Sequence, residues 1–279
     1  MDTMLNFRCR DNMDEKRLVE KTDQPRTVKS IKKDLLDGGI DRDGDLLVHS
    51  SLSSIGWVCG GEVAVIQAFL EAISSGTLVM PTFSGGHSDP SSWENPPVPE
   101  SWWKTIREEM PAFDPEITPV GSVGKIPEVF RKWPGVKRSY HPVVSFAAKG
   151  PNAELIVEDH PLDFPLGKDS PLQLLYDLDA YVLLVGVGYD RNTCFHLGEN
   201  LAPDSKERTE GSPVKENGKR VWKEYKDIEY RDDLFEKIGK KFEEEFEVER
   251  LSIGSAECRY FSLKDAVDFS TEWFTDFRG

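Results

Sequence analysis

A chain of 279 residues with 38% apolar content can bury one large core or two modest ones, and one domain is the simpler reading. Its 50 acidic against 35 basic residues give a formal charge of -15, which disfavours nucleic acid and anionic membranes and suits a cationic small substrate, although an acidic surface also serves solubility. Cysteines at 9, 59, 194 and 258 form no C-x-x-C pair, no apolar run approaches the ~18 residues of a membrane span, and the N-terminus around Arg8, Arg10 and Asp11 lacks a signal-peptide core. A reducing, cytoplasmic setting is expected.

Residues 1–26 are charged, poor in periodic apolar positions and close on Pro25, so they read as a loose N-terminal extension. From residue 27 to 279 we expect a single domain. Thr27 is placed as an N-cap, with Val28, Ile31 and Leu35 on one helical face and Gly38-Gly39 ending the helix. Leu46-Leu47-Val48 is a short buried strand, followed by a small-residue loop, Ser50 to Gly61, and by a helix over Glu62 to Ile73. Leu78-Val79-Met80 is the next strand. Between it and Ile117 lies a segment rich in Pro, Trp and Ser, too long for a mere connector, which forms either a substrate-facing wall or a rigid packed loop.

Val143 to Ala148 and Tyr181 to Val187 supply further strands, with a short helix over Pro171 to Tyr176 between them. Charge density rises from Asp204 to Arg250, where Leu234, Ile238, Phe242 and Phe246 mark one amphipathic helix, and Gly254 to Phe274 has enough apolar residues to dock on the core. Strands alternating with helices predict an α/β fold with a mixed or parallel central sheet flanked by helices on both faces.

Three constellations carry chemistry. His196 and Glu199 stand three residues apart just beyond the Val182–Val187 strand, where α/β enzymes keep their reactive groups. The carboxylate could fix the imidazole tautomer and stabilise its protonated form, making His196 a general base; the same spacing also occurs as a plain surface pair. The Ser50–Gly61 loop precedes a helix N-terminus and could bring backbone N–H groups to an anion, but it matches neither the P-loop nor the dinucleotide fingerprint, so ATP and NAD are disfavoured. Lys137-Arg138-Ser139-Tyr140-His141-Pro142 either binds phosphate or caps a surface turn. The five histidines, at 49, 87, 141, 160 and 196, include no H-E-x-x-H and no close pair, so no metal is expected. Cys194 is either a nucleophile activated by His196 in a ping-pong transfer or a small buried thiol, and residues i and i+2 face apart on a helix.

Together these segments resemble the aminoglycoside N(3)-acetyltransferase family, the antibiotic acetyltransferases distinct from the GNAT fold. The carriers are the blocks 48–56, 80–84, 111–115, Arg131, 133–136, 138–146, 166–172, 192–199 and 254–256, running from about Thr27 to the C-terminus. The resemblance implies an acyltransferase of antibiotic-resistance type that uses acetyl-CoA as co-substrate and the 3-amino group of a 2-deoxystreptamine ring as acceptor, and it suggests a homodimer. His196 would be the base, Glu199 its orienting partner, and Thr193 would line the site. Ser50, Leu52, Ser53, Ile55, Gly56, Thr82, Ser122 and Val123 would line the coenzyme A path. Family members often carry Ser where Cys194 stands and Ala where Gly198 stands.

An acceptor amine protonated near pH 7 needs a base before it can attack, and acidic side chains should hold its remaining charges. Glu94, Asp163, Asp190 and Glu199 are the expected pocket wall. Two other functions stay open: an acetyltransferase of the same fold acting on a different amine, and a coenzyme A-binding protein without catalysis.

Overall fold

The computed structural model describes residues 12–121 and 123–279. In chain order the helices and strands are α1 (Asn12–Lys21), α2 (Val28–Asp37), β1 (Leu46–Ser50), α3 (Leu52–Ile55), α4 (Gly61–Ala72), β2 (Leu78–Pro81), α5 (Glu100–Glu109), α6 (Lys125–Phe130), β3 (Lys137–Arg138), β4 (Phe146–Lys149), α7 (Ala153–Glu158), α8 (Pro171–Asp177), β5 (Tyr181–Val185), α9 (Cys194–Leu201), β6 (Glu207–Glu216), β7 (Lys219–Ile228), α10 (Phe235–Glu245), β8 (Glu249–Ile253), β9 (Ala256–Ser262) and α11 (Leu263–Arg278). No helix among the described residues is long and apolar enough to cross a membrane.

Seven strands form one mixed sheet in the order β3-β4-β2-β1-β5-β9-β8. Its centre is parallel, with β1 between β2 and β5, and the outer strands run antiparallel. Central strands buried on both faces need apolar side chains at every position, which is why LLVHS, LVMP and YVLLV read as nearly continuous apolar runs. Alternate residues feed opposite layers: Leu47, Val182 and Leu184 pack under α7, α8, α9, α10 and α11, whereas Val48, Leu183 and Val185 pack under α2, α4 and α6. Removing such a side chain from water contributes roughly 1.5–3 kcal/mol each, and the two layers fix where β1 and β5 end.

Local signals set the helices. Thr27 caps α2 through a reciprocal box with Ser30, and Ser170 caps α8 with Pro171 in its first turn. The aromatic segment after β2 is not bare loop; it contains α5, and its Ser88 and Ser92 face the main cleft.

Two features depart from the sequence reading. Of residues 1–26, residues 1–11 lie outside the described part, but 12–26 are built onto the fold. α1 precedes an Arg26–Val58 bridge, and the Thr22 hydroxyl accepts from the Trp57 backbone N–H at 2.9 Å. The second departure is the stretch after Asp204, which opens with a ten-residue-per-strand hairpin, β6 and β7, turning at Asn217-Gly218. Both turn residues adopt positive φ, 50° and 76°, the conformation a tight two-residue hairpin turn demands. The ribbon docks through Phe113 N–H to the Pro213 carbonyl at 2.9 Å and Lys215 N–H to the Tyr140 hydroxyl at 3.2 Å.

Candidate active site

A cleft of about 1520 Å³ opens beyond the carboxyl ends of β1 and β5. His49 and Ser50 of β1, the loop after it, Thr193 and His196 of the α9 entry, and the β6–β7 ribbon all line it. This is the position an α/β sheet offers a ligand, because strand ends splay and their connecting loops converge there.

α9 begins directly after Asn192-Thr193, so His196 falls in its first turn and faces the cleft with 14% of its side chain exposed. The ring is wedged between Tyr230 and Phe235, at centroid distances of 4.5 and 4.7 Å, which limits its rotation. Glu199, one turn on, is fully buried. Its Oε1 accepts from the Arg231 backbone N–H at 3.0 Å and from Arg278 Nη2 at 3.4 Å, so the end of α11 holds this carboxylate in place. Its Oε2 lies 3.7 Å from His196 Nδ1, too long for a hydrogen bond, and neither atom has another partner. The pair is an electrostatic contact one small ring movement away from a bond, with Nε2 left for a substrate.

α9 also packs closely on α11. A Cβ at Gly198 would come within 2.0 Å of Ser270 Oγ, so any side chain there would require Ser270 to turn away or the two helices to stand further apart.

Only part of the expected acidic wall lines the cleft. Glu94 is exposed and outside it, and Asp163 is exposed on a separate side pocket, where Oδ1 accepts from Lys226 N–H at 2.8 Å. Asp190 does line the cleft, paired with Arg191 at 3.0 Å. The hairpin instead supplies Glu210 and Asp227, 8% and 5% exposed. Burial raises both carboxyls above their ordinary range, against the opposing pull of Arg208 on Glu210 and of the Tyr230 hydroxyl, 2.7 Å from Asp227 Oδ1. A cation entering the cleft would offset the lost solvation and favour the charged form of both. The signal that could have found them was the Asn-Gly dipeptide at 217–218.

On the coenzyme side, Ser50, Leu52, Ser53, Gly56 and Val123 line the cleft, while Ser122 lies outside the described residues. Ile55 is fully buried in the core layer of α2 and α4, away from the cleft. Thr82 is buried too, its hydroxyl donating to the Ser145 carbonyl at 3.0 Å. Thr82 belongs to a scaffold around Arg138, whose guanidinium donates to the carbonyls of Thr82 and Thr118 at 2.8 and 2.6 Å and to the hydroxyls of Ser84 and Ser145. Those donors are consumed, so the Arg138 cluster neither binds phosphate nor caps a surface turn; it ties the loops behind the cleft together.

Cys194 is fully buried, its thiol donating to Asn192 Oδ1 at 3.2 Å and pushed up to about 12 by burial. A thiol with almost no thiolate is a poor nucleophile. The Cys194→Ser variant should therefore turn over within about threefold of the parent in a steady-state assay, and an inactive but folded variant would restore the ping-pong route.

Residues 47–275 match the family model described as aminoglycoside 3-N-acetyltransferase. The chain is 51% identical to the Bacillus subtilis SPbeta prophage-derived aminoglycoside N(3')-acetyltransferase-like protein YokD, over 93% of this chain and 96% of that one. It is 34% identical to aminoglycoside N(3)-acetyltransferase IX of Micromonospora chalcea, over 94% and 98%. Among solved structures, AAC-IIIb in a binary complex with CoASH superposes with a TM-score of 0.82 at 26% identity, covering 92% of this chain and 98% of that one. AAC-VIa bound to sisomicin superposes equally well, at 0.82 and 27% identity, over 91% and 99%. The fold is thus that of these acetyltransferases and not of the GNAT enzymes, and the chain belongs to the aminoglycoside 3-N-acetyltransferase family.

Proposed function

We propose that this protein transfers the acetyl group of acetyl-CoA to the 3-amino group of the 2-deoxystreptamine ring of aminoglycosides, directly, within a ternary complex. The observation that carries the reading is one cleft joining three things: the His196–Glu199 pair, two buried carboxylates on the hairpin, and the Ser-rich loop after β1. Its volume suits two molecules at once. The relatives' names and their complexes with CoASH and sisomicin support both substrates.

Acetyl-CoA supplies an activated acetyl thioester. The residues that fit it are the small ones of the loop, Ser50, Ser53 and Gly56, with Leu52 and Val123 against its pantetheine arm. Glu210 and Asp227 hold the acceptor's ammonium groups and restrict the amine that reaches His196. His196 takes the proton from that amine at Nε2, and Glu199 stabilises the imidazolium through Nδ1. Holding amine and thioester in one cleft removes most of the entropic cost of their encounter.

The regiochemistry tests this reading. With acetyl-CoA and a panel of aminoglycosides, we expect NMR to locate the new acetyl group on the 3-amino nitrogen, with one thiol released per transfer. Acetylation elsewhere, or none across the panel while another polyamine is acetylated, would reassign the acceptor.

A further inference from the structure

Residues 12–26, which the sequence alone sets aside, contribute Glu15, Arg17, Leu18 and Lys21 to the wall of the cleft. α1 is fastened to the loop that follows β1 by several bonds. The Thr22 hydroxyl accepts from Trp57 N–H at 2.9 Å, Trp57 Nε1 donates to Glu15 at 3.3 Å, and Arg26 N–H donates to the Trp57 carbonyl at 2.9 Å. This attachment directs Arg17 and Lys21, one turn apart on the same helical face, to line the cleft beside Trp57.

We propose that Arg17 and Lys21 are the residues that bind the phosphate groups of coenzyme A. The inference rests on the reading that the cleft takes acetyl-CoA, and it assigns that reading a segment outside the matched family region, which begins at residue 47. Three observations lead to it. First, with the thioester at His196 and the arm along Ser50–Ser53 as proposed above, the next lining residues of that loop are Gly56 and Trp57, and Trp57 is bonded to α1. Second, a polyanion approaching a chain of net charge -15 needs local cations. Third, the cleft's Arg191 and Arg208 are already paired, with Asp190 at 3.0 Å and Glu210 at 3.1 Å, whereas Arg17 and Lys21 have no ion-pair partner among the described residues. Glu15 and Glu62 also line the cleft, and Glu15 is engaged by Trp57. Both cations are exposed, so phosphate can reach them with no change in the fold.

Titration calorimetry on the full chain tests this with three ligands: coenzyme A, 3'-dephospho-coenzyme A and pantetheine, which carries no phosphate. The double variant Arg17→Gln, Lys21→Gln should weaken coenzyme A binding roughly 5- to 30-fold, more at low than at high salt. It should leave pantetheine affinity and the helical circular dichroism unchanged. Dephospho-coenzyme A should lose less on substitution than coenzyme A. A variant that binds coenzyme A within twofold of the parent overturns the assignment, as does an equal loss for pantetheine. If the unsubstituted protein binds no coenzyme A at all, the acetyltransferase reading itself fails, and the assignment with it.

Discussion

Replacing His196 by Ala should lower kcat about 10²- to 10⁴-fold while coenzyme A binds with unchanged affinity. The acceptor is a protonated alkylamine, whose lone pair is unavailable until a base removes the proton. Only a group that faces the cleft and can carry the charge will serve. Cys194 is buried and its thiol is held near 12, His49 is buried and held near 3, and Glu199 has no exposed surface. His196 combines a free cleft-facing edge with a buried carboxylate 3.7 Å behind it. Glu199 offers the imidazolium formed during transfer a nearby, fixed partner. The variant also removes a ring packed on Tyr230 and Phe235, so melting temperature is measured alongside thiol release to separate lost chemistry from lost fold. Turnover within tenfold of the parent by a folded variant would remove His196 from the base role.

The sheet was legible because its strands are buried on both faces. Leu46–Val48, Leu78–Met80 and Tyr181–Val187 are apolar runs bounded by polar loops, and the structure places strands over nearly the same residues. The cap at Thr27 and the helix start at Pro171 were legible for an equally local reason, since each is decided within four residues. The placement of His196 at the cleft, with Glu199 one turn behind it, was legible because the apolar run before them ends at a predictable point and the helix begins at once.

What failed was whatever depends on distant segments meeting. The β6–β7 ribbon alternates weakly because charged residues crowd both edges, and Glu210 and Asp227 look like surface carboxylates until the ribbon folds over the cleft. Conversely, Glu94 and Asp163 were expected on the pocket wall but are carried elsewhere by the chain path. Thr82 and Ile55 were put on the coenzyme path by the resemblance, yet successive residues point to opposite sides; Pro81 and Phe83 face the cleft where Thr82 does not. α1 was missed because its contact is with Trp57, far along the chain, and its own residues carry almost no apolar stripe.

Those tertiary contacts also create a large dependence of stability on pH. Three histidines are buried without charge: His49 is held near 3 by burial and by the neighbouring His196, His160 near 4 by burial, and His141 well below its ordinary range, again by burial. Hydrogen bonding argues the same way. His141 Nδ1 accepts from the backbone N–H groups of Val143 and Val144 at 3.2 and 3.0 Å, and a proton there would face two donors. The Pro165 carbonyl can only accept, so His160 Nε2–H donates to it at 2.7 Å, and Nδ1 of the neutral ring accepts from the Ser139 hydroxyl at 2.8 Å, which itself accepts from Phe146 N–H. The two rings stack 4.9 Å apart, so charging one opposes charging the other. In the unfolded chain each imidazole titrates near ~6.5. Because the folded values are depressed, the stabilisation is complete above the unfolded value and is lost as pH falls through the window from ~6.5 to about 3–4. At pH 5 His49 and His160 should each cost about 2 kcal/mol, some ~4 together, with His141 adding in the same direction, a large part of the 5–15 kcal/mol that holds a typical domain. Glu210 and Asp227 act oppositely: their raised carboxyls are relieved by protonation, which offsets a fraction of that loss. Urea unfolding at pH 7.5, 6.5, 5.5 and 5.0 should show the midpoint falling steeply below 6.5, with an uptake of two to three protons on unfolding. A midpoint that stays level from 7.5 to 5.0 would mean these rings reach solvent or bind protons in the native state.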